Sequence, residues 1–262
     1  MPWSLNPAYL SFIFNLMRKN GPNFYDTDSV FEKYIALRTK SNSPNDTLER
    51  PILLEMIGSP QGKRVLDLGC GNAEMGQLLL DAGALSYTGV DGSKNMIELA
   101  ERNRKDPRVQ LVHSDLESFE FQKSAFDLVI SSLVFHYLED YELLLRDISK
   151  TLRPGGALIF SVEHPVLTSC NRSLELSAAR EDWIVDQYFL RGAREIKWMG
   201  DVVTKYHRTI EDLLNGLSRS GLSLLQLRES DPNLKYFQDQ ALLQRRQRIP
   251  LFLFLAASKP LL

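Results

Sequence analysis

The chain has 262 residues, 44% of them hydrophobic, with 31 Lys and Arg against 33 Asp and Glu. That length buries one large core, or one core with a small appendage, and the near balance of charge excludes a general basic field for nucleic acid, leaving room only for a local patch. Two cysteines, Cys70 and Cys170, exclude a disulfide framework and a CxxC metal pair, and favour a reducing, cytoplasmic setting.

In chain order, the N-terminal stretch MPWSLNPAYLSFIFNLMRKNGPN has a short apolar run broken by Asn15, with Arg18 and Lys19 after it. It reads as an amphipathic helix rather than a signal peptide. Strand-like runs then alternate with helical ones: KRVLDLGC, SYTGVD, VQLVHSD, FDLVISS and GALIFSV are the strands. Between them Met75, Leu78, Leu79 and Ala82, then Met96, Ile97 and Ala100, then Leu143, Leu144, Ile148 and Leu152, recur at helical spacing. Such alternation predicts a doubly wound α/β fold, a mostly parallel sheet with helices on both faces. Ser93 is placed to cap the second of these helices, and RPGG at 153–156 turns into the fifth strand.

After FSVEHP the alternation stops. Residues 166 to about 208 have no clean period and hold Trp183, Tyr188, Phe189, Trp198 and Tyr206. Thr209 then caps a helix carrying Ile210, Leu213, Leu214 and Leu217, and LSLLQLRES and PLFLFLAAS read as two final strands around a polar stretch containing QRRQR, read as a solvated face. The apolar run IPLFLFLAA is too short to span a bilayer, so no membrane span is expected. This gives an N-terminal helical cap at 1–50 and a domain at 51–262 with an insertion at about 166–208.

The stretch VLDLGCGNAEMG, residues 65–76, concentrates the chemistry. In open parallel sheets ligands bind beyond the carboxyl ends of the strands, and Gly69 and Gly71 stand at such an end, where glycine lets a ligand approach the backbone. Three strands end in acids, Asp67, Asp91 and Asp115, and Asp91 follows Gly71 by 20 residues, where a carboxylate can accept both ribose hydroxyls. A dinucleotide fingerprint wants a small residue where Glu74 stands, and a carboxylate there would face a pyrophosphate. Acids crowding the loop suit a ligand with positive charge and no phosphate, such as S-adenosylmethionine.

Together VLDLGCGNAEMG, YTGVDGSKNM, LVHSDLESF, FDLVISSLVFHYLED and LRPGGALIFSVEHP resemble the successive motifs of class I S-adenosylmethionine-dependent methyltransferases over roughly residues 60–165. The flanks FEKYIALR, SVEHP and KYHRT are similar to a small-molecule subgroup. The resemblance implies a Rossmann-like sheet of seven strands with an antiparallel final strand, S-adenosylmethionine as methyl donor and S-adenosylhomocysteine as product. It implies that the Gly69, Cys70 and Gly71 backbone, behind the strand-end acid Asp67, lies against the methionine part. Asp91 would hold the ribose, Asp115 and Leu116 would frame the adenine with Met96 or Gly92 beside it, and Ser131 would offer its carbonyl to the amino group. Arg38, with Tyr34 one turn earlier, would reach the methionine carboxylate from the cap.

Transfer to an acceptor that carries a proton needs a base as well as alignment. His136 follows the fourth strand, His164 follows the fifth beside Glu163, and His207 sits where the insertion rejoins the fold. These three are the catalytic candidates, expected to ring one cavity closed by the insertion, whose aromatics suit an aromatic or a cationic acceptor. No metal spacing joins them. Two other readings are a cofactor-binding scaffold without turnover and an RNA methyltransferase; the absent basic field and the absence of an NPPY-type motif after the fourth strand count against the latter.

Overall fold

Burial of alternate residues builds the centre of the molecule. In the computed structural model, which describes residues 21–38, 43–173 and 182–261, Val65 and Leu66 on strand β1 (Arg64–Leu68) are fully buried, one in each of two apolar layers. β4 (Phe126–Ser132) and β5 (Leu152–Glu163) repeat the pattern, with Leu128 and Ile130 against Val129, and Ile159 against Leu158 and Phe160. Strand side chains alternate between faces, so a sheet apolar on both faces must be covered on both.

Among the described residues helix α1 (Gly21–Tyr25) and α2 (Asp28–Arg38) come first, then a π-helical turn, Asn45–Glu49, that runs into α3 (Arg50–Ile57). α4 (Glu74–Asp81) connects β1 to β2 (Ser86–Asp91), and α5 (Lys94–Asn103) connects β2 to β3 (Val109–His113). α3 and α4 cover one layer through Ile52, Leu53, Leu79 and Leu80. The other is covered by α6 (Tyr141–Thr151), through Leu144, Leu145 and Ile148, and by α8 (Ile210–Arg219), through Leu213 and Leu217. Each such side chain contributes about 1.5–3 kcal/mol by leaving water. The predicted caps are in place: Ser93 Oγ accepts from the Met96 N–H, and Thr209 and Asp212 form a reciprocal capping box.

With β8 (Ser223–Glu229) and β9 (Phe252–Ser258), the sheet has seven strands in the order β3-β2-β1-β4-β5-β9-β8. β1 to β5 pair in parallel, and β9 runs antiparallel to both of its neighbours. This is the predicted architecture. Strand order reverses between β1 and β4, which opens the crevice beyond their carboxyl ends.

The 166–208 insertion is more regular than its sequence suggests. After the short helix α7 (Pro165–Thr168), β6 (Gly192–Trp198) and β7 (Asp201–His207) pair as an antiparallel hairpin. Met199 and Gly200 turn it, both at positive φ, 51° and 87°, the handedness that hairpin turns favour. The hairpin shares a small apolar cluster with the cap: Phe24 and Val30 against Ile196 and Val203. The predicted helix before residue 21 and the 174–181 part of the insertion lie outside the described residues. Among the described residues no helix is long and apolar enough to cross a membrane.

Candidate active site

The loop after β1 is stitched to the neighbouring strand. The N–H groups of Gly69 and Cys70 both donate to the Val90 carbonyl, at 2.8 and 3.0 Å. Gly69 has φ +75°, and a Cβ there would stand 2.2 Å from Val134 Cγ2; Gly71 has φ +55°, and a Cβ there would meet nothing within 4 Å. One glycine thus permits packing, while the other faces open space. Asp91, at the end of β2, accepts from the Gly71 N–H through Oδ2 and from the Ser93 N–H through Oδ1, both at 2.8 Å. Burial pushes its carboxyl up, and these two donors oppose that shift.

The loop is braced from beneath. Tyr87 Oη donates to Asp67 Oδ2 at 2.6 Å in the buried layer, and helix α4 approaches that ring closely because Gly76 has no side chain; a Cβ there would be 2.6 Å from Tyr87 Cε1. Burial raises the Asp67 carboxyl to about 7. The cap is tied to the neighbouring turn, between β2 and α5. Asp26 accepts from Ser93 Oγ at 2.6 Å and from the Asn95 N–H at 3.1 Å, at the N-terminus of α5, where a carboxylate is favoured.

A cavity of about 480 Å³ runs from this loop to the hairpin. Its strand-end half is lined by Gly69, Gly71, Asp91, Gly92, Met96 and Leu116, with Tyr34 and Arg38 from α2. Glu74, the residue that breaks the dinucleotide pattern, holds Arg50 at 3.0 Å and Arg38 at 3.6 Å, so it steadies a cation at the cavity wall. Ser132, Leu133 and Val134 line the exit of β4. Leu133 has φ +58°, a conformation costly for a branched side chain, and its N–H is pinned to Ser161 Oγ at 3.1 Å.

The other half comes from cap, insertion and strand ends together. Tyr25 meets both Tyr137 and Trp198 edge to face, and the Tyr25 and Tyr137 hydroxyls are 3.3 Å apart. Lys205 Nζ donates to Glu163 Oε1 at 2.6 Å, and its side chain is 5% exposed. His136 lies in a 3₁₀ turn, Phe135–Tyr137, where its Nδ1 accepts the Glu163 N–H at 3.4 Å. That bond requires a bare Nδ1 and leaves the proton on Nε2. Burial lowers the imidazole to about 3; Glu163 pulls it back up, and Lys205 pushes it further down. His136 is therefore neutral, suited to donating from Nε2 rather than to strong base chemistry.

Several predicted residues stand elsewhere. Of the three histidines only His136 lines the cavity, so the expected ring of three is not formed. His164 caps α7, accepting the Val166 N–H at Nδ1, and its Nε2 meets Glu229 at 2.8 Å. His207 bridges Thr168 Oγ1, at 2.7 Å, and the Tyr188 carbonyl, at 2.8 Å. The carbonyl only accepts, so Nε2 donates and Nδ1 takes the threonine proton. Burial lowers both of these imidazoles. Asp67 and Cys70 are turned into the core, Ser131 is fully buried with its Oγ on the Leu68 carbonyl, and exposed Asp115 stands behind Gly92. None of these four lines the cavity; on β4 the lining residue is Ser132, and the buried Ser131 side chain leaves the expected role of its carbonyl untouched. Arg245 and Arg246, in the run read as a solvated face, line the cavity from α9 (Gln240–Arg246). Lys205 was hidden beside His207 in KYHRT, although period two on a strand puts both on one face. Among the described residues no His, Cys, Asp or Glu cluster of metal-binding size occurs.

Comparison with known proteins agrees with this geometry. The methyltransferase domain family matches residues 66–160. An uncharacterised protein of Haemophilus influenzae is 34% identical over 221 residues, 80% of this chain and 87% of that one. A demethylmenaquinone methyltransferase of Lactococcus lactis is 23% identical over 194 residues, 71% of this chain and 77% of that one. The crystal structure of an S-adenosylmethionine-dependent methyltransferase from Mesorhizobium loti superposes with a TM-score of 0.74 at 30% identity, covering 83% of this chain and 99% of that one. With the seven-stranded order, the glycine loop and Asp91 on the same crevice, the chain belongs to the class I S-adenosylmethionine-dependent methyltransferases.

Proposed function

We propose that this methyltransferase acts on a small-molecule acceptor enclosed between the strand ends, a cap formed by residues 1–50 and a lid formed by the 166–208 insertion of a domain at 51–262. The observation that carries the reading is the single cavity that begins at Gly71 and Asp91 and ends at Lys205 and Trp198. It joins a nucleoside seat to an acceptor chamber within one space of about 480 Å³, a volume that suits a small molecule.

The residues present fit S-adenosylmethionine. Gly71 opens onto free space beside a carboxylate that already fixes two backbone donors. Asp91 keeps lone pairs for ribose hydroxyls, since a carboxylate accepts at about four positions. Gly92, Met96 and Leu116, which line this end of the cavity, would form the apolar rim for the adenine, and Arg38 would meet the methionine carboxylate. The bound donor supplies a methyl group already activated by its sulfonium. The chain's part is alignment, which can be worth roughly 7–11 kcal/mol: His136 orients the acceptor from Nε2, and the aromatic wall excludes water. A cytoplasmic location fits the two free cysteines.

Two measurements test the reading. Incubation with methyl-tritiated S-adenosylmethionine and cell extract should label the small-molecule fraction and leave RNA unlabelled; label in RNA alone would refute it. Calorimetry should show S-adenosylhomocysteine binding, weakened by about 1–3 kcal/mol in a folded Asp91→Ala variant, and no NAD binding.

A further inference from the structure

The aromatic wall of the acceptor chamber already holds a cation. Tyr25, Tyr34, Tyr137 and Trp198 form a cluster of rings with centroids 5.0 to 6.4 Å apart. Such a cluster attracts an ammonium to its ring faces. Here the chain supplies that ammonium: Lys205 Nζ lies 5.4 Å from the Tyr137 centroid and 5.3 Å from that of Trp198. Its side chain is almost fully buried and is held by Glu163. A cationic acceptor would have to displace from these faces an ammonium that Glu163 already holds there. Besides Arg38 at the cofactor end, Lys197, Arg245 and Arg246 line the same cavity, against the carboxylates Asp91, Glu117 and Glu163.

Resting on the methyltransferase reading above, we propose that the acceptor is a planar aromatic molecule bearing an anionic oxygen, a carboxylate or a phenolate. Its ring lies against the tyrosine and tryptophan wall, and its charge is bound by Lys205. The Lys205 ammonium is bonded to Glu163 and to Tyr137, and an anionic oxygen entering the chamber is drawn to the same charge. Aromatic rings stack or meet edge to face with such a wall at little entropic cost.

The chemistry balances without a strong base. The acceptor oxygen's electron pair forms the new O–C bond as the C–S bond breaks, and that bond's pair remains on sulfur. An anion and a sulfonium become a neutral ester or ether and a neutral thioether. No proton has to leave, which agrees with the neutral, weakly basic His136 at the chamber wall. Cancelling opposite charges also suits a chamber that excludes water.

The test is calorimetry on the native chain saturated with S-adenosylhomocysteine, with benzoate, 4-nitrophenolate and benzylammonium as probes. At least one anion should bind about tenfold or more tightly than benzylammonium, and which anion binds tells carboxylate from phenolate. Lys205→Met should weaken that anion about tenfold or more while leaving S-adenosylhomocysteine affinity unchanged, and Lys205→Arg should restore it. The proposal is overturned if benzylammonium binds as well as the anions, if neither anion binds, or if a folded Lys205→Met keeps native anion affinity. The probe series on the native chain decides the matter even where the variants do not fold. Failure to bind S-adenosylhomocysteine at all would instead bring down the methyltransferase reading itself.

Discussion

The two halves of the cavity are built in different ways. The strand-end half is made by backbone and short-range sequence: Gly69, Gly71 and Asp91 lie within 23 residues, and their key bonds are N–H groups on a carboxylate and on the Val90 carbonyl. The hairpin half is made by side chains brought from far apart, with Tyr25 against Tyr137 and Glu163 against Lys205. The first half fixes a ligand's shape through main-chain positions that many side chains could surround. The second fixes it through side-chain identity, where a single substitution alters charge or contact.

The sharpest way to break this contrast is at the backbone. Gly69→Ala forces a side chain into the left-handed region and toward Val134. Strain and overpacking together should cost about 2–4 kcal/mol in urea unfolding, with loss of S-adenosylhomocysteine binding. Native stability in that variant would show that the loop is not under conformational constraint.

A middle-sized effect should separate the histidines. His207→Ala leaves Thr168 and the Tyr188 carbonyl without their partner and should cost about 1–3 kcal/mol of stability, with the cofactor affinity kept. Burial depresses the His207 imidazole, so below about pH 6.5 the unfolded chain takes up a proton that the folded chain refuses. Its contribution to stability is therefore lost as pH falls, and the variant should lack that part of the acid sensitivity. His136→Ala should likewise spare cofactor affinity, but lower turnover. If both variants behaved alike, the division between chamber and scaffold would fail.

The smallest effect belongs to the seam between the halves. Asp26→Asn keeps the shape but removes the negative charge at the start of α5. It should cost about 0.3–1 kcal/mol and make cleavage near residue 26 faster in limited proteolysis. Unchanged proteolysis would show that the cap is held by Phe24 and Trp198 alone.

The sequence disclosed the two halves unequally, for the same physical reason. Alternating apolar strands, the Ser93 and Thr209 caps and the glycine loop are local, so period and spacing reveal them. The β6–β7 hairpin is flagged only by the Met199-Gly200 turn, and Met is an unusual residue at positive φ. Histidine identity misled because His164 and His207 are placed to satisfy buried polar groups, a role that spacing cannot distinguish from chemistry. A lysine is rarely buried without a partner, and closure of the hairpin onto Glu163 supplies one for Lys205.

The brace beneath the loop restricts which sequences can carry this site. Asp67, Gly76 and Tyr87 meet at one point, where the phenol needs the carboxylate and the ring needs the missing side chain. A larger residue at 76 demands a smaller one at 87, and a smaller one at 87 strands a buried acid at 67. Drift at any of the three is then tolerated only as a coordinated change, so these positions, which stand outside the lining of the site cavity, should vary together among descendants of this chain.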